Sequence, residues 1–111
     1  MLQRVDYGFK NGFVEDEEKT LKALGQYWHA AKELEKAKPN YAKAASLSKT
    51  GELYIFLGQV HFGLDEFGES EKAIRLGIKK GKLKDEANAY MLLGQVLFEY
   101  QKWDEAIKAF E

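Results

Sequence analysis

The sequence predicts an all-α fold, a stack of antiparallel helix pairs, on three observations. The tripeptides Leu24-Gly25-Gln26, Leu57-Gly58-Gln59 and Leu93-Gly94-Gln95 recur at steps of 33 and 36 residues. A self-match at such a period marks stacked supersecondary units. Apolar residues fall at spacings of three and four: Leu21, Leu24, Trp28 and Ala31, then Leu53, Phe56, Leu57, Val60 and Leu64, then Tyr90, Leu93, Val96, Leu97 and Tyr100. Alternating runs of β-branched residues are few, so a sheet has little to build from.

The spacing predicts six helices, at 17–32, 36–49, 51–64, 69–80, 86–100 and 103–110. Asp16 is placed to cap the first, with the acidic run Glu15-Asp16-Glu17-Glu18 at the positive end of its dipole. Pro39 is tolerated if the second helix begins near Lys36, because the first turn has no internal partner for its N–H groups. Lys49-Thr50-Gly51 and Lys79-Lys80-Gly81 set cations on closing turns, each with a glycine for a left-handed terminal residue. Asp85 is a natural cap for the fifth helix. Residues 1–17 read as an N-terminal arm ahead of a repeat domain at 18–111. Tyr7, Phe9 and Phe13, broken by Gly8 and Gly12, suit a cover for the open end of the stack or a binding element.

Composition limits the function classes. The 111 residues fit one domain, and 45% hydrophobic content is ordinary for a globular chain. Seventeen basic and eighteen acidic residues leave a net charge of −1, without the basic excess that nucleic acid demands. Cysteine is absent, which excludes disulfides, thiol nucleophiles and thiolate metal sites. No apolar run approaches the roughly 20 residues that span a bilayer, and the first residues carry no apolar signal core.

The repeated residues resemble the tetratricopeptide repeat, a helix–turn–helix unit of about 34 residues. Its large and small positions are matched by Leu21, Leu24, Gly25, Trp28, Leu34, Ala37, Tyr41 and Ala44 in a first unit, 18–51. Tyr54, Leu57, Gly58, His61, Phe67, Ser70, Ile74 and Gly77 match them in a second, 51–86. Tyr90, Leu93, Gly94, Leu97, Trp103, Ala106 and Phe110 match them in a third, truncated unit, 87–111. His61 departs from the usual aromatic or aliphatic residue, and Lys49 and Lys82 stand where proline often closes a unit. The segments Trp28-His29-Ala30-Ala31-Lys32-Glu33 and Lys79-Lys80-Gly81-Lys82-Leu83-Lys84 also look like bacterial envelope members of the family encoded beside TonB-type transport systems. The compartment stays open between cytoplasm and bacterial periplasm.

The resemblance implies a right-handed superhelical α-solenoid whose first helices line a concave groove, and a protein–protein interaction scaffold. The implied groove stripe is Lys19, Lys22, Gln26 and His29, then Glu52, Ile55, Gln59 and Phe62, then Asn88, Met91, Gln95 and Phe98. Partner-binding residues within it are Lys22, Gln26, His29, Ile55, Gln59, Phe62, Met91, Gln95 and Phe98. Three glutamines beside apolar residues suit a peptide, since amides both donate to and accept from a backbone. The same apolar residues could instead be covered by the N-terminal arm or a neighbouring helix. Chaperone tails are disfavoured: Lys22 matches the family's carboxylate clamp, but Gln26, Asn88 and Leu92 do not. An alternative is a structural or self-associating module, or a piece of a larger repeat protein, in which Leu97, Phe98, Trp103, Ile107 and Phe110 form an open apolar end that pairs with a second copy.

No enzyme, cofactor or metal is expected. His29 and His61, the only histidines, lack a ligand partner at helical spacing, and His61 reads as a satisfied internal histidine. Every glycine is isolated among helix formers, so no phosphate loop appears, and no serine sits in a nucleophile-elbow setting.

Overall fold

The computed structural model describes residues 10–110, and these are helical with no strands. The described residues form five helices: α1 (Lys10–Ala30), α2 (Leu34–Leu47), α3 (Glu52–Gly63), α4 (Phe67–Lys80) and α5 (Glu86–Phe110). Each packs against the next in sequence, and α3 also touches α5. The Cα radius of gyration is 16.4 Å, above the roughly 13 Å of a compact chain this long.

Two hairpins share one turn. After α1, Lys32 takes a φ of 64° and the Glu33 amide donates to the Trp28 carbonyl at 2.8 Å. After α3, Asp65 takes a φ of 61° and the Glu66 amide donates to the His61 carbonyl, again at 2.8 Å. A left-handed residue followed by a bond reaching back five residues satisfies the last free carbonyls of a helix. Above each turn the small positions close the hairpin. Ala37 and Ser70 are fully buried, and the Ser70 hydroxyl donates to the Gly58 carbonyl at 2.7 Å.

The core forms two successive clusters. One joins Ala37, Tyr41 and Ala44 of α2 to Leu53, Leu57 and Val60 of α3, with Trp28 of α1 packed on it. The other joins Ile55 of α3, Phe67 and Ile74 of α4, and Ala89, Leu93 and Val96 of α5. Full burial of side chains of this size stabilises by about 1.5–3 kcal/mol each. Each hairpin therefore depends on its neighbour to cover its apolar face.

Several sequence expectations are corrected. The helices expected at 86–100 and 103–110 are one continuous α5, so the third unit is not a hairpin. Glu99, Tyr100, Gln101 and Lys102 are all helix-compatible, and Asp104–Lys108 (3.3 Å) and Gln101–Glu105 (3.4 Å) pairs brace the extension. The first helix starts at Lys10, which puts Asp16 inside it rather than at its cap. Of the expected arm, residues 1–9 lie outside the described residues. The second helix starts at Leu34, fixed by the turn at Lys32, so Pro39 lies beyond the first turn and within α2.

Gly51 and Gly81 differ from each other. Gly51 has an ordinary φ of −87°, and what demands glycine there is contact: a Cβ would strike the Gly77 carbonyl of α4. Its amide donates to the Gly81 carbonyl at 2.8 Å, tying the start of α3 to the end of α4. Gly81 does adopt positive φ, at 79°. Asp85 caps α5 as expected, accepting from the Asn88 amide at 3.0 Å.

Candidate functional site

The residues expected to line a groove meet different fates. On α1, Gln26 is exposed and Lys22 half-buried, while the His29 ring lies edge-on to Tyr41, its Nδ1 3.4 Å from the hydroxyl. On α3, Ile55 is only 3% exposed. It sits in the second core cluster and fills the notch at Gly77, so it is a packing residue and offers no surface to a partner. Gln59 and Phe62 are half-buried, and Phe62 packs on Phe67 with ring centroids 5.7 Å apart. On α5, Gln95 is exposed, Met91 is 62% exposed and Phe98 65%.

Exposure of large apolar side chains thus concentrates on α5. Tyr90, Leu97, Tyr100, Trp103 and Ile107 join Met91 and Phe98 among the exposed residues. The buried stripe Ala89–Leu93–Val96 faces α4, and Tyr100, Trp103 and Ile107 continue that same side past the start of α4. Tyr100 comes up against Gly68, and the Trp103 ring lies 6.5 Å from Phe67. Between them opens a cleft of about 390 Å³, lined by Phe67, Tyr100, Trp103 and Ile107 with the carboxylates of Asp65 and Asp104. The helical repeat alone signalled Trp103 and Ile107 as apolar. It did not signal the cleft, because the cleft exists only when α5 runs straight.

A polar network crosses the base of the two hairpins. His61 Nδ1 donates to Glu66 Oε1 at 2.7 Å, and Lys38 Nζ donates to both Glu66 oxygens at 3.1 Å and approaches Glu35 at 3.3 Å. His61 is therefore a satisfied internal histidine. The His61 hydrogen bond, helped by Lys38, holds the Glu66 carboxyl below the usual glutamate range against the opposing effect of burial. The hydrogen bond to Glu66 likewise raises the Lys38 ammonium. Burial pushes the Tyr41 phenol up. The network links α2 to the turn between α3 and α4.

Among the described residues no cluster of three His, Asp or Glu side chains could hold a metal ion, and no helix is long and apolar enough to cross a membrane. No protein-family model, curated protein or solved structure matches the chain.

Proposed function

We propose that this chain is a protein-interaction scaffold of the tetratricopeptide kind, holding a segment of a partner protein along the stripe Met91–Gln95–Phe98. The observation that carries the reading is that stripe: two large apolar side chains, each more than half exposed, flank an exposed amide on one side of α5. Exposed apolar patches on folded chains mark contact sites. Met91 adapts to varied ligand side chains, and Gln95 offers both a donor and an acceptor to a ligand backbone.

The test is capture of partners from native extract, with peptide mapping of what binds. Met91→Ser with Phe98→Ser is expected to weaken a captured partner by about tenfold or more while circular dichroism stays unchanged, since both side chains are exposed. Phe62 is the poorer probe, because its contact with Phe67 ties it to the core. Capture of the same partners at the same strength by the double variant removes the stripe as the binding surface.

A further inference from the structure

We infer that α5 is an opened hairpin: it bends at Gln101–Lys102, and the segment Trp103–Phe110 of the same chain docks on the face made by Tyr90, Gly94 and Leu97. The two hairpins already formed supply the register. Counting from the repeated glycine, the left-handed turn residue comes seven positions later, at Lys32 after Gly25 and at Asp65 after Gly58. The buried small residue comes at twelve, Ala37 and Ser70, and the residue covering the glycine at sixteen, Tyr41 and Ile74. From Gly94 the same steps reach Gln101, Ala106 and Phe110.

Exposure separates the finished hairpins from the open one. Leu21 and Tyr54 are half-buried, whereas Tyr90 at the same register is exposed. Trp28 and His61 are half-buried, whereas Leu97 is exposed; Leu34 and Phe67 are covered, whereas Trp103 is exposed. A Cβ on Gly25 or Gly58 would strike the opposing helix, while one on Gly94 would meet nothing within 4 Å. These positions of α5 are uncovered, while Leu93, the counterpart of Leu57, is already buried in the cluster with Phe67 and Ile74 of α4.

Helical phase points the same way. At 100° per residue, Tyr90, Gly94 and Leu97 share one side of α5, and Trp103, Ala106 and Phe110 fall about half a turn away. A straight amphipathic helix keeps its apolar stripe on one side. Trp103 also ends the straight stripe Ala89–Leu93–Val96–Tyr100, so α5 carries a second apolar face, Tyr90–Gly94–Leu97, that only folding back would bring opposite Trp103 and Ala106. Two straight α5 helices laid side by side cannot bury both faces at once.

The straight state has supports of its own, in Tyr100 against Gly68 and Trp103 against Phe67. Bending exchanges them: Trp103 and Ile107 leave the cleft at Phe67, and Tyr90 and Leu97 become covered. The stripe Met91–Gln95–Phe98 lies about a quarter turn from the docking face, so the inference is independent of the scaffold reading. Its test uses the isolated chain and no partner.

With no native cysteine, Asn88→Cys with Lys108→Cys carries two spin labels at unique sites. Along a straight helix they stand about 30 Å apart, and in a hairpin about half that. Pulsed dipolar spectroscopy is expected to show a second population near the shorter distance. Gln101→Gly, which relieves the positive φ, should enlarge that population. Gly94→Leu, which has open space in the straight helix but fills the docking face, should abolish it. A single distance of about 30 Å in all three backgrounds, or a short population that disappears on mixing with excess unlabelled chain, overturns the proposal.

Discussion

Gly25 and Gly58 each stand beneath a large side chain, so that a Cβ would lie 2.6 Å from Tyr41 Cδ1 and 2.5 Å from Ile74 Cγ1. Those side chains are buried and have little room to yield. Gly25→Ala and Gly58→Ala are expected to cost about 1–3 kcal/mol each through overpacking. Gly94→Ala is expected to leave stability unchanged or raise it by up to about 1 kcal/mol, from helix propensity alone. Urea denaturation of the three variants separates these outcomes, and equal losses at all three would contradict the described packing. The notches at Gly25 and Gly58 were legible in the sequence because each recurs with its partner twelve and sixteen residues on. The third looked the same on paper, since local residues do not report whether the opposing helix has arrived. Ile55 was misread for a related reason: helical register placed it on a stripe, but the Gly77 notch that receives it is distant in sequence.

Helix existence was readable at the level of elements, and boundaries less so. The side-chain cap at Asp85 was legible, whereas Asp16 only looked like one because α1 begins upstream at Lys10. Turns closed by backbone were less so: Asp65 is a residue type that tolerates positive φ, but Lys32 carries no such mark. The Lys32 turn moved the start of α2 upstream and drew Pro39 into its interior. Contacts between elements were also invisible, and Glu66 is the clearest: it joins α2 to the α3–α4 turn through Lys38 and His61. Its lowered pKa means a stabilising contribution that is complete above the ordinary glutamate value of 4.5 and is lost as pH falls through the lower folded value. Lys38, raised above 10.5, adds a contribution present below that value and lost as pH rises past it. Glu66→Gln is expected to cost about 1 kcal/mol or less near neutrality, since both partners remain partly exposed. The difference from the wild-type chain should shrink as acid protonates Glu66. A difference in melting temperature that stays constant from about pH 6 to about pH 3 would remove Glu66 as the titrating group.

The whole molecule is a line of contacts between successive helices, 61 Å along its longest axis. Stability in such an array is distributed by position, with interior units held from both sides. Amides of α3 and α4 are expected to exchange most slowly with deuterium, and those after Gln101 most rapidly, because α5 there is covered by little besides Phe67. Hydrogen exchange read by mass spectrometry checks the order, and protection after Gln101 equal to that of α4 would show the far half of α5 to be fully packed. The α3–α4 hairpin holds a further consequence, because it is fastened at both ends. The Asp65 turn joins one end, and the bond from Gly51 to Gly81 with the Gly51–Gly77 contact joins the other. A tensile load applied through the first and last helices would meet these two fasteners last. The molecule should shed its flanks one at a time and yield at its middle only under the greatest force, behaving as a spring with a stiff central link.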